Sequence, residues 1–362
     1  MTDTLRSILA FIVDIGVLVF FHELGHYLAA RSQGVVVEAF SIGFGPALVS
    51  WRSKKTGTVW KVSALPLGGY VKMQGWGEDV EPGTPVTPGS FAAASLPSRA
   101  LIVAAGPLAN LLLAYVVFVG LFLAIGQVVV QPVLSSIVPG SPAALAGLQA
   151  GDRVLSVDGA KIVDFAGLQS IILTHPDATV DFSINRHGVV LDQSVKLGDA
   201  LEGGEKVGHL GVAGTQASLR HFSLPGALKA SWVECWNDTV GTLSGLYNLA
   251  VHHQGLSGLT GPLGIAQISG QAASLGIASV IGLIALLSIN LGLVNLIPIP
   301  VLDGGHLLFY LAEALYGRPI PARAQEIGLR FGVAVILSLF LVTTFNDLTR
   351  LGAVNWVAHL LG

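Results

Sequence analysis

The amino-acid sequence predicts a polytopic α-helical membrane protein with about four transmembrane helices, a β-rich segment after the first of them, and an inserted α+β domain between the second and third. Three observations carry that prediction. The 362 residues are 52% hydrophobic and only 11% charged, a balance that a water-soluble chain of this length does not keep. Four apolar stretches are candidates to cross a hydrocarbon layer about 30 Å thick. The residues from 126 to 276, by contrast, have the ordinary mixture of charges, turn residues and short apolar segments found in soluble domains.

The first apolar stretch runs from Ile8 to Ala30. Its leading residues, MTDTLR, hold Arg6 as their one basic group, and HELGH falls where a leader peptide would be cleaved, so the stretch reads as a retained helix. Residues 31–100 read as a cytoplasmic-side, β-rich loop. Glycine and proline are frequent there, Lys54, Lys55, Lys61 and Lys72 are spread along it, and EDVEPGTPVTPGS from Glu78 has the composition of an exposed loop. The second stretch, Leu101 to Ile125, closes an N-terminal membrane part of residues 1–125. Residues 126–215 follow as the inserted domain. In the linker region 216–276, LPGALKASWVECWNDTVGTLSGLYNLAVHH from Leu224 reads as an amphipathic helix at the membrane surface. The C-terminal membrane part, 277–362, holds the stretches Ile277 to Ile297 and Phe331 to Phe345.

Basic residues close to span ends set orientation. One side collects Arg31, Arg99, Arg318, Arg323 and Arg330, while the other has Arg6 and Arg350. The first side is therefore expected in the cytoplasm, and the inserted domain and both termini on the outer, periplasmic face of a bacterial inner membrane. The formal net charge of −3 shows no basic excess, which argues against a nucleic-acid partner. Cys235 is the one cysteine, so neither an internal disulfide nor a cysteine-ligated metal site is available.

An ionisable group inside a membrane span is costly and marks a function. His22, Glu23 and His26 sit together in FFHELGHYLA near the end of the first stretch. Positions i and i+4 of a helix lie about 40° apart, so His22 and His26 project from one face and can share a zinc ion. Glu23 is one step round, beside the metal without ligating it, where it can accept a proton from water. Catalytic zinc commonly takes three protein ligands, so a third must come from elsewhere. Glu38 is near in sequence, in VVVEAFSI. The stronger candidate is Asp303 in NLIPIPVLDGGH, which follows the helix-breaking Pro298 and Pro300 at the same end of the membrane as HELGH; His306 is a substitute. Asn295 is placed to serve freed backbone groups or a substrate backbone. His252 and His253 read as outward-side surface residues, and Asp14 as a residue of the outer interface rather than a water path.

HELGH on the first stretch together with NLIPIPVLDGG on the third resembles the site-2 protease family of intramembrane zinc metalloproteases. GFGP (Gly43 to Pro46), PLGGYVKMQG (Pro66 to Gly75) and GPLAN (Gly106 to Asn110) are similar to its bacterial branch that regulates sigma-E. The resemblance implies one Zn2+ per chain held by His22, His26 and Asp303, with Glu23 as catalytic base. It implies a membrane-associated β-hairpin in which Gly68, Gly69 and Tyr70 bind substrate in extended form, with Asn295 also handling substrate. VLSSIVPGSPAALAGLQAGDRVLSVDGAKIVDFAGLQSII from Val133 resembles a single PDZ domain, with GHLGV from Gly208 as its closing strand, either capturing a peptide or shielding the site. Better-known enterobacterial relatives carry two such domains in tandem, whereas 126–276 has room for one.

The implied function is hydrolysis of a peptide bond in or near the transmembrane segment of a single-pass membrane protein already shortened by another protease. An anti-sigma factor leads as substrate, with signal-peptide remnants second, and membrane lipid surrounds the whole. The alternative is a membrane-anchored PDZ adaptor with a non-catalytic metal site, and a metal-handling membrane protein is a third reading. Intact HELGH and LDGG argue against the adaptor, and the scarcity of polar residues along the spans argues against transport. The sequence says nothing of oligomeric state.

Overall fold

The computed structural model describes residues 3–76, 87–202, 205–252 and 259–351. The chain divides into two compact units, one of Met1–Leu121 with Pro225–Gly362 and the other of Phe122–Leu224.

The first unit begins with α1 (Asp3–Ser32), followed by β1 (Val37–Arg52) and β2 (Val59–Met73), and then α2 (Leu96–Ala124). Among the described residues, four helices are long and apolar enough to cross a membrane: Asp3–Ser32, Leu96–Ala124, Ile277–Asn295 and Arg323–Arg350. Helices suit a lipid environment because they pair their backbone groups within the segment; Pro107 inside α2 is the one interior proline among these four. The flanking polar residues join the helices, so the first and last extend beyond the apolar runs that predict them.

The β-hairpin expected after the first helix is present as the antiparallel pair β1–β2. It carries bends that the sequence did not predict. Ala39 to Ile42 lie between two stretches of β2, facing Val59 to Val62 on one side and Gly69 to Lys72 on the other. That requires both strands to fold back, and the bends fall where the backbone turns left-handed, with φ of +87° at Gly43 and +113° at Gly68. Phe40, Met73 and Val37 bury themselves against Tyr27 and Ala30 of α1 and against Ile102 and Val103 of α2, so the hairpin is packed onto the end of α1 that carries HELGH. The predicted exposed loop from Glu78 falls largely on residues outside those described, as does His253.

The second unit holds, in chain order, β3 (Gln127–Val130), β4 (Ser136–Ile137), α3 (Pro142–Leu145), β5 (Arg153–Val157), β6 (Ala160–Lys161), α4 (Phe165–Leu173), β7 (Thr179–Arg186), β8 (Val189–Lys196), β9 (Gly198–Glu202), β10 (Glu205–His209), β11 (Val212–Ala213) and β12 (Ala217–Arg220). Its main sheet has the order β6-β5-β7-β8. Along β7 the inward residues Val180, Phe182 and Ile184 are buried, the period-2 pattern of a strand with one covered face, and α4 covers it with Leu168 and Ile172. GHLGV is not one closing strand. Gly208 and His209 end β10, which pairs with β9, while Val212 begins β11, which pairs with β4. The left-handed Gly211 between them, at φ +76°, turns the chain from one pairing to the other. Asp152 is buried and takes two hydrogen bonds of 2.7 Å from Arg186, locking the loop before β5 to the end of β7.

Beyond this unit lie α5 (Leu224–His252), α6 (Pro262–Leu275), α7 (Ile277–Asn295), α8 (Asp303–Tyr316) and α9 (Ala322–Arg350). Trp232, Trp236 and Tyr247 of α5 are exposed, as an interfacial helix would have them, and His252 is exposed at its end. Asp14 is fully buried, and α6 packs along the α1 helix that carries it.

Candidate metal centre

The site is assembled by three helical segments, and glycines set how closely they meet. Gly25 of α1 faces α2 with no room for a side chain, since a β-carbon there would stand 2.2 Å from the Ala105 carbonyl oxygen. Small residues of this kind let helix backbones approach within a membrane. The same approach recurs at Gly106, whose added β-carbon would stand 2.3 Å from His26 Nε2.

Asp303 arrives by a different route. α7 ends at Asn295, and the chain passes through Pro298 and Pro300 in short turns before α8 begins at Asp303 itself. Proline cannot donate to a helix ladder, so helix gives way here. Gly304 and Gly305 then press against that returning segment, where β-carbons would meet the Leu296 and Ile299 carbonyl oxygens at 2.3 Å each. The DGG sequence thus lets α8 begin tightly against the segment that leads into it, and its first residue reaches the histidines.

The three groups converge. Asp303 Oδ2 is 3.2 Å from His22 Nε2 and 3.5 Å from His26 Nε2, and the two Nε2 atoms are 3.2 Å apart. All three side chains are mostly buried. Asp303 Oδ2 nevertheless lacks a hydrogen bond of acceptable geometry. For His26 the far side of the ring gives the reason: Nδ1 lies 2.8 Å from the Ile102 carbonyl oxygen, to which it can only donate, leaving Nε2 of the neutral ring as a lone pair. His26 Nε2 and Asp303 Oδ2 therefore face one another as acceptors, with His22 Nε2 beside both. A cation satisfies such a set, and two imidazoles with one carboxylate are a zinc donor set that leaves a position for water. The residues fit the metal.

Glu23 stands next to this centre without belonging to it; the cluster able to share an ion comprises His22, His26 and Asp303. Its carboxylate lies near the Val71 backbone of β2. Gly69 lies against it too, with an added β-carbon 3.1 Å from Glu23 Cγ and 2.6 Å from both the Ser41 carbonyl oxygen and Val19 Cγ1. The hairpin is thus part of the site's wall. Tyr70 is next in that strand and its ring stacks on Phe44 at 6.2 Å, while Gly68 brings its backbone within contact of the same Phe44 ring. Asn295 ends α7 and is half-buried.

Two sequence alternatives for the third ligand lie elsewhere. Glu38 forms an exposed ion pair with Lys72 at 2.7 Å. His306 is on α8, with Nδ1 at 3.2 Å from the Leu302 carbonyl oxygen and its ring 5.7 Å from that of Trp76. Sequence reasoning missed the contributions of Ile102, Gly106 and Asn110. They recur every four residues along one face of α2, a spacing that was readable, but nothing in the spacing says which helix that face meets.

The model of peptidase family M50 matches residues 10–339. A protein of Rhizobium meliloti described as a candidate zinc metalloprotease is 40% identical, over 97% of each chain. A similarly described protein of Agrobacterium fabrum is 39% identical, over 95% of this chain and 96% of its own. The zinc metalloprotease RasP of Geobacillus kaustophilus is 33% identical, over 97% of this chain and 99% of its own. Among solved structures, the PDZ domain of an SdrC-like protein from Listeria innocua is matched by 25% of this chain and over 99% of its own, at 20% identity and a TM-score of 0.22.

Proposed function

The chain belongs to peptidase family M50, and from that premise we propose that it hydrolyses a peptide bond in or near the transmembrane segment of a single-pass membrane protein. His22, His26 and Asp303 hold one zinc ion, and Glu23 is the base. The observation that carries this reading is the meeting of the two imidazoles and the carboxylate at 3.2–3.5 Å.

When bound, zinc supplies Lewis-acid activation of water and of the scissile carbonyl. Glu23 takes one proton from the attacking water as the new C–O bond forms. The C–N bond then breaks, and the same carboxyl returns the proton to the leaving amine. The hairpin, through Gly69 packed against Glu23 Cγ, keeps the carboxylate in place.

A helical substrate has its carbonyls bonded to its own amides, so it must be unwound, and the freed groups need partners in a membrane. The stretch Gly69 to Met73 pairs with β1 on one side only and lies beside Glu23, which supports substrate binding by edge addition at Gly68, Gly69 and Tyr70. Asn295 serves the substrate backbone in this reading. The substrate is a protein already shortened by another protease, with an anti-sigma factor first and signal-peptide remnants second. The protein sits in a bacterial inner membrane with residues 126–215 as a periplasmic PDZ domain and the metal centre near the cytoplasmic side.

The test is cleavage of a purified single-pass substrate lacking its outer domain, by the wild type and by Glu23→Gln matched for zinc content. Cleavage by the wild type alone upholds the reading. Failure of both across several substrates, with zinc retained, overturns it.

A further inference from the structure

His22 needs its Nε2 lone pair to serve as a ligand, so its proton must stay on Nδ1. What holds it there is the question. For His26 the answer is the Ile102 carbonyl oxygen. For His22 the neighbouring group is the side-chain amide of Asn110, two turns further along the same face of α2, at 3.3 Å from Nδ1.

Asn110 is fully buried, and Ser288 Oγ of α7 donates to its backbone carbonyl at 2.9 Å, so α7 contacts α2 at this residue. Its amide stands with Nδ2 toward the ring, and Oδ1 is left buried without a hydrogen-bond partner. A buried acceptor without a donor is costly. The orientation of an amide is assigned from its surroundings, because its oxygen and nitrogen are nearly alike. With Nδ2 toward the ring, Asn110 donates to Nδ1 and the His22 proton moves to Nε2, pointing at another histidine nitrogen and spoiling the ligand. With Oδ1 toward the ring, the orphan oxygen accepts from Nδ1–H and both histidines present lone pairs.

Resting on the metal reading above, we propose that Asn110 is the positioning residue of His22: its side-chain oxygen accepts from Nδ1–H and sets the metal-binding tautomer. Partners of this kind behind a ligating histidine are worth about 10–100-fold in metal affinity.

The experiment measures zinc affinity of the full chain in detergent by chelator competition, together with 15N shifts of labelled histidine in the metal-free protein. Asn110→Leu keeps the volume and removes the acceptor; it should weaken zinc about 10–100-fold and mix the His22 tautomers. Asn110→Asp restores an acceptor and should stay within about threefold of wild type with the Nδ1–H tautomer kept. If Asn110→Leu does not fold, Asn110→Ala carries the same expectation. Wild-type affinity and tautomer in the acceptor-less variant overturn the proposal, and so does an equal loss in Asn110→Asp, which would make the role one of packing. Should wild type and His22→Ala bind zinc alike, the metal reading fails first and takes this inference with it.

Discussion

Gly106 lies flat against the ring of His26: a β-carbon on it would stand 2.3 Å from Nε2 and 2.5 Å from Cε1. The smallest side chain would therefore displace the atom that serves as ligand. Gly106→Ala should lose most of its zinc, on the order of 100-fold in affinity, and its proteolytic activity with it. Gly120→Ala, on the same helix with open space around it, should change neither. Metal content of both purified variants checks this.

Asp303 and His306 share α8 but have different neighbours. Asp303→Ala should lower zinc affinity by on the order of 100-fold, while His306→Ala should hold zinc like wild type. Retention by the first and loss by the second would exchange their roles.

The contact between Gly69 and Glu23 separates metal binding from proton transfer. A β-carbon at position 69 crowds Val19, the Ser41 carbonyl and Glu23 Cγ, but no metal ligand. Gly69→Ala is expected to retain zinc and to lose activity on the order of 10-fold or more, the range of a general base out of place. Parallel metal analysis and cleavage rates distinguish this from collapse of the site.

Asp152 and Arg186 make a pH-dependent lock in the 122–224 unit. Burial raises the Asp152 carboxyl, but the hydrogen bonds and charge of Arg186 and the Gln149 N–H more than offset it, so the folded value lies below the ordinary one. A depressed carboxyl contributes its stability above the unfolded pKa of about 3.9 and loses it as pH falls through the folded value. Arg186→Met should therefore exchange the amides of β5 and β7 faster than wild type at pH 7, and the difference should close as pH drops below about 4. A difference that persists undiminished at low pH would assign the effect to packing alone.

What was legible in the sequence follows from the range of each signal. HELGH could be read because i, i+4 spacing defines a face, and LDGG because two prolines end a helix within a few residues. The hairpin was legible as a pair, but its bends at Gly43 and Gly68 were not, since a glycine allows a left-handed turn without requiring one. GHLGV looked like a single strand because its apolar residues are continuous, and it is divided by Gly211 between two partners. That Asp14 is buried beneath α6 was not legible, since it depends on which helix packs along α1.

By itself the sequence determined the membrane class, four apolar helices, the inserted domain and the residue types of a metal centre, because composition, periodicity and helix breaking act over a few neighbouring residues. Tertiary structure brought Asp303, which the sequence already favoured over Glu38 and His306, to the histidines. It also decided that α2 supplies Ile102 and Asn110 behind them and that β2 closes on Glu23. Those choices depend on how near two backbones come. That distance is set jointly by Gly25, Gly106, Gly304 and Gly305 and by what each one faces, which no local pattern contains.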